Sequence, residues 1–121
     1  MKVERIEWLD EESKEGNVTV TDGKYLVLCF GDGLEYVVGD VIKEPLMCLD
    51  VDNVMHSEEK EPMIQQNFDE YECFVRGQIF LEDNIVKIGE IKISIAEQYY
   101  PKDIKDKEFV EMKISRIDIL S

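Results

Sequence analysis

From residue 72 to residue 95 the chain reads ECFVRGQIFLEDNIVKIGEIKISI, and apolar positions recur along it with a period of two. Cys73, Val75, Gly77, Ile79 and Leu81 share one phase, while Phe74, Arg76, Gln78, Phe80 and Glu82 share the other. That is the alternation of a pleated strand with one buried side. Glu82, Asp83 and Asn84 then supply turn chemistry. Val86 and Ile88 are even-numbered, but Ile91, Ile93 and Ile95 are odd, so the buried phase slips across Gly89. A one-residue slip flips the buried face, and Gly89 therefore marks either a bulge or a tight turn.

The same reading extends to the rest of the chain. Residues 2–9 form a first strand through Val3, Ile6 and Trp8, followed by a polar loop, DEESKEG, over residues 10–16. Residues 17–21 form a short strand ending at Asp22-Gly23, the signature of a type I′ hairpin turn. Residues 24–30 are almost continuously apolar, as in a strand buried on both sides. A Gly39-Asp40 turn and a short strand over residues 46–51 follow. Residues 52–62 are the one candidate helix, capped by Asp52 or Asn53 and stopped by Pro62. In the last strand, residues 109–120, the apolar phase changes between Ile114 and Ile117, which predicts a bulge or bend near Ser115-Arg116.

Shifting the chain by 66 residues places Trp8 on Phe74, Val20 on Val86, Gly23 on Gly89 and Val27 on Ile93. This predicts two β-meander units, about 1–55 and about 67–121, each too small to hold a core alone. The expected fold is all-β: an OB-like or closed β-barrel of about seven or eight strands with at most one short helix, in a single domain.

Charge narrows the functional classes. The 121 residues carry 28 acidic against 14 basic side chains, a net charge of −14. Phosphate recognition needs clustered lysine and arginine, so neither a nucleic acid nor an anionic membrane surface is an expected partner. A basic protein is the expected partner instead. Residues 1–60 hold 15 acids and 6 bases, against 13 and 8 in residues 61–121, so such a partner should prefer the N-terminal half. Asp10, Glu11, Glu12 and Glu15 concentrate that charge in one loop. Tyr99 and Tyr100 form a second candidate contact, because exposed tyrosines anchor protein surfaces and stack on sugars.

No catalytic constellation stands out. His56 is the only histidine, lies beside the run Ser57-Glu58-Glu59-Lys60-Glu61, and reads as a solvated surface side chain. Cys29, Cys48 and Cys73 are too far apart for a zinc motif and read as buried free thiols of a reducing compartment. Asp50, Asp52, Glu58 and Glu61 fall at calcium-loop positions, but Met55 occupies the place that requires glycine. No metal or cofactor and no enzymatic activity are expected. There is no apolar leader after Met1-Lys2, and the expected location is the cytoplasm.

The segments 6–12 (IEWLDEE), 38–46 (VGDVIKEPL), 57–61 (SEEKE), 86–91 (VKIGEI) and 115–119 (SRIDI) resemble a family of small acidic bacterial proteins with OB-like β architecture and no assigned activity. The resemblance implies a bacterial cytoplasmic protein and assigns no site residue. OB-type barrels bind oligonucleotides or oligosaccharides, so a small-ligand or oligosaccharide module is the alternative to an acidic, immunity- or antitoxin-like binding protein.

Overall fold

A computed structural model describes residues 1–67 and 69–120 of the chain. Its nine strands are β1 (Lys2–Asp10), β2 (Glu15–Thr21), β3 (Leu26–Gly31), β4 (Leu46–His56), β5 (Met63–Gln66), β6 (Cys73–Phe80), β7 (Ile85–Ile88), β8 (Ile91–Ser94) and β9 (Phe109–Asp118). The only helix among the described residues is a single 3-10 turn, Glu97–Tyr99. None is long and apolar enough to cross a membrane.

The strands form one sheet in the order β1-β2-β3-β9-β4-β8-β7-β6-β5. β6 also pairs with β9, from Cys73↔Ile114 to Gln78↔Phe109. That pairing closes β9-β4-β8-β7-β6 into a five-stranded barrel, with β1–β3 as a meander on one flank. The protein is therefore all-β and built on a closed barrel. The order from β1 to β6 is palindromic: exchanging β1 with β6, β2 with β7, β3 with β8 and β4 with β9 reproduces it in reverse. The halves interlock, since β3 pairs in parallel with β9 and β8 in parallel with β4. Only one half closes. β1 instead bonds to a loop, through Val3 N to Asp40 O at 2.9 Å and Gly39 N to Val3 O at 2.8 Å.

One apolar cluster joins both parts. It runs from Val18, Val20, Val27 and Cys29 in the meander to Val75, Ile79, Ile88, Ile93 and Met112 in the barrel, all within 1% of complete burial. Burying such side chains is the main driving force for this fold, at roughly 25 cal/mol per Å² of apolar surface. Leu34, 1% exposed, packs over the cross-strand pair Gly16↔Gly31. A Cβ on Gly31 would lie 2.3 Å from Leu34 Cδ2, so a side chain there would displace Leu34 from the core.

Several local expectations change. Gly89 makes a two-residue turn rather than a bulge: Ile88 faces Ile91, Val86 faces Ile93, and the reversal puts even and odd positions on one buried face. Gly89 has φ +61° while Glu90 does not have a positive φ, the pattern of a type II′ turn. The Asp22-Gly23 turn is not type I′, because Thr21↔Leu26 leaves a four-residue loop in which only Gly23 has positive φ. β3 is buried on one side only; Val27 and Cys29 point inward while Leu26 is 57% exposed.

Residues 52–56 are strand, not helix. β4 stays paired with β9 as far as His56↔Val110, and Asn53 absorbs a register shift with φ 53°. The phase change in β9 falls between Ile114 and Ile117, but not as a bulge, since Arg116↔Leu49 and Ile114↔Val51 keep one register with β4. β4 changes phase at the same level, between Cys48 and Val51, with Asp50 at φ 54°. At that level β9 leaves β6, whose last partner is Ile114, and meets β3 at Asp118.

Candidate binding groove

Pairing across β1, β2 and β3 aligns Glu7, Asn17 and Phe30 in one row and Arg5, Thr19 and Leu28 in the next. Paired residues share a face, and the inward face is taken by Val18, Val20, Val27 and Cys29. These two rows therefore face outward. β5 and the residues after it stand beside them as a wall of Ile64, Gln66, Asn67 and Asp69. The result is an open groove of about 450 Å³, within the size range of small-ligand sites.

Gln66 fixes the wall. Its Oε1 accepts from Leu28 N at 2.8 Å, and its Nε2 donates to Leu28 O at 3.2 Å and to Tyr71 O at 3.1 Å. The side-chain amide thus satisfies the open edge of β3 as a neighbouring strand would. Tyr71 donates its hydroxyl to Asn17 Oδ1 and meets Phe30 edge-on, with ring centroids 6.1 Å apart. Burial pushes the Tyr71 phenol above its ordinary pKa, against the nearby Arg116 charge. Arg116 lies 4.6 Å over the Phe30 ring and holds Asp118 through two hydrogen bonds, of 2.7 and 3.0 Å.

The acidic loop of the sequence lies at one end of this groove. Asp10 pairs with Glu15 across the β1–β2 hairpin, and Glu15 shares the outward phase of Asn17. Asp10 Oδ1 caps the tip by accepting from Glu12 N at 3.0 Å and Ser13 N at 3.3 Å. The carboxylates of Glu11, Glu12 and Glu15 have no partner among the described residues; Glu11 and Glu12 are exposed and Glu15 is half-buried. Tyr99 and Tyr100 lie elsewhere, on the β8–β9 connection beside β4. Tyr99 is 36% exposed. Tyr100 packs against the core and donates its hydroxyl to Ile95 O at 2.9 Å, and burial raises its pKa to about 12. The two tyrosines do not join the acidic hairpin in one site.

His56 is solvent-accessible as expected, but it is not isolated. Its Nδ1 bonds to Glu108, and its Nε2 lies 3.0 Å from Asp103 Oδ1. The hydrogen bond to Glu108, then that to Asp103, raises the imidazole pKa above its ordinary value. Both carboxyls are correspondingly lowered. Nothing local in the sequence announces this cluster, whose members are 47 and 52 residues apart. Each imidazole nitrogen is engaged by a carboxylate, and the neighbouring Ser57 hydroxyl is turned to Glu59 O and Glu111 rather than to the ring.

The thiols differ in depth. Cys29 and Cys73 are buried, but Cys48 is only half-buried. Burial raises all three, Cys73 to about 12, which leaves them as weakly acidic thiols rather than reactive thiolates. Among the described residues no group of three or more histidine, cysteine, aspartate or glutamate side chains is placed to hold a metal ion.

The architecture is thus a five-stranded barrel bearing a grooved three-stranded flank. Compared with known proteins, the chain matches no family model, no curated protein and no solved structure.

Proposed function

We propose that this is a non-catalytic binding protein of the bacterial cytoplasm that engages a basic protein partner through the β1–β2 hairpin and the groove beside it. The observation that carries the reading is the set of unpaired carboxylates, Glu11, Glu12 and Glu15, held at the end of an otherwise ordered hairpin. Clustered, uncompensated charge raises the local potential and steers an oppositely charged partner. An immunity- or antitoxin-like role fits, because an inhibitor of a basic nuclease must present negative charge where substrate phosphates would lie.

The test is association of partner captured from the native bacterium, with wild type beside Glu11→Lys/Glu12→Lys. The reversed-charge variant should associate more slowly with its fold stability unchanged, since exposed charges contribute little to stability. The wild-type rate should fall as added salt shortens the field to about 8–10 Å. Equal association at low and high salt by both proteins would defeat the reading. The size of the groove favours a second reading, a small-ligand or oligosaccharide module. Saturable binding of an oligosaccharide, insensitive to the hairpin charges, would replace the first reading with the second.

A further inference from the structure

The groove combines two kinds of surface that match one type of side chain. Leu26 and Leu28 on its floor, with Ile64 on its wall, are apolar. Glu7 and Asp69 line the same space. Asp69 has no partner among the described residues. Among the described residues Glu7 is held only by Arg5, at 3.5 Å, with both side chains about 60% exposed. An exposed pair of that kind is worth little and exchanges readily for a better cation. Arg5 is the only cation lining the groove among the described residues, against the two carboxylates of Glu7 and Asp69, so the balance of charge there favours a cation. Both N–H donors of the Gln66 amide are already used, on Leu28 O and Tyr71 O, and its oxygen accepts from Leu28 N, so the wall is built before any occupant arrives.

We infer that this groove is the seat of one arginine side chain from the basic partner, its aliphatic stem on Leu26, Leu28 and Ile64 and its guanidinium shared between Glu7 and Asp69. The inference rests on the acidic-face reading and names the anchor within it. Arginine suits the place because its stem buries against apolar surface while its planar head bonds carboxylates in pairs. Buried arginine anchors ringed by weaker contacts are a recurrent source of interface affinity. The hairpin carboxylates steer, and the groove holds.

The test is an NMR titration of the ¹⁵N-labelled full chain with Ac-Ala-Arg-Ala-NH2, and with the same peptide carrying citrulline or glutamate in place of arginine. The arginine peptide should shift the Thr19 and Leu28 amides and the Gln66 side-chain amide. The citrulline peptide, equal in shape but uncharged, should bind at least about tenfold more weakly. Glu7→Gln with Asp69→Asn should remove the difference between them. Equal binding of arginine and citrulline, preferential binding of glutamate, or no shift at these positions would overturn the inference. Shifts confined to residues 10–15 would also overturn it while leaving the acidic-face reading intact. If the groove takes arginine but hairpin reversal does not slow the partner, it is the steering role of the hairpin that fails.

Discussion

The carboxylate of Asp22 joins two hairpins. Its Oδ1 accepts from Lys24 N at 2.9 Å and Tyr25 N at 2.8 Å, which closes the β2–β3 turn. Its Oδ2 accepts from Glu90 N at 2.8 Å, in the β7–β8 turn. Burial disfavours the charge, but the backbone donors outweigh it and hold the pKa below the ordinary 3.8. Asp22→Asn must point an NH2 group at one set of backbone N–H donors, and should cost about 1–2 kcal/mol at neutral pH. A lowered carboxyl pKa stabilises above its unfolded value and loses that contribution as pH falls through the folded value. The gap between wild type and Asp22→Asn in urea denaturation should therefore narrow below pH 3.8. A gap that stays constant through that range would show that the charge is not what joins the turns.

Gly77 sits where β6 pairs with Val110 of β9 and turns toward β7. A Cβ there would lie 2.5 Å from the Lys87 carbonyl oxygen and 2.8 Å from Val86 Cγ1. Backbone on one side and core on the other leave no easy relief, so Gly77→Ala should cost about 1–3 kcal/mol. Gly23→Ala is the comparison, since Gly23 has φ +98° but no atom within 4 Å of an added Cβ. Its cost should be about 1 kcal/mol, from backbone strain alone. A Gly77→Ala protein as stable as wild type would mean that the barrel has slack at this corner.

For His56 the sign of the pH effect is fixed by its two partners. A raised imidazole pKa gives a contribution that is present below 6.5 and lost as pH rises through the folded value. The lowered carboxyls of Asp103 and Glu108 act in the opposite sense, losing their part as pH falls through their own folded values. The link between β4 and the β8–β9 connection should thus be intact in mildly acidic solution and loosen in alkali. The His56 ring protons should titrate above 6.5, and Glu108→Gln should bring the midpoint down. A midpoint at or below 6.5 in the wild type would refute the pairing.

Lys87 and Lys92 face each other directly across β7 and β8. Lys87 has some relief from Glu90 at 3.8 Å and the Phe80 ring at 5.8 Å; Lys92 has no ion-pair partner among the described residues. Like charges opposite one another destabilise a sheet, so Lys92→Glu should raise stability by about 0.2–1 kcal/mol, with Lys92→Gln between. A stability loss on charge reversal would point to an unrecognised role for this lysine pair.

The legible parts of the fold are those where a buried face imposes parity. Ile88 and Ile91, or Ile114 and Ile117, change phase at places that the chain alone reveals, because one wrong step would turn isoleucine toward water. Residues 52–56 were illegible for the opposite reason. Asp52, Asn53 and His56 carry capping and surface chemistry, and only pairing with β9, more than 50 residues on, makes them a strand. β5 is too short, at four residues, to show a period. The acidic hairpin could be read because its members are consecutive. The groove could not, because Gln66 reaches Leu28 across 38 residues, and no spacing rule relates them.

The interlocked strand order has a consequence for the timing of synthesis. β9 follows the other eight strands along the chain, yet it is neighbour to β3, β4 and β6. While the ribosome is still making residues 1–108, both meanders can form local hairpins, but β4 has no antiparallel partner and the ring stays open. The decisive contacts join β3 and β4 to β9 across more than 50 residues, and such long loops close slowly. A nascent chain must therefore keep β3, β4 and β6 with unsatisfied edges until β9 emerges, the interval in which exposed strands invite aggregation. The solubility of this protein is under greatest demand before it has folded, and a net charge of −14 is already distributed along the chain to meet it.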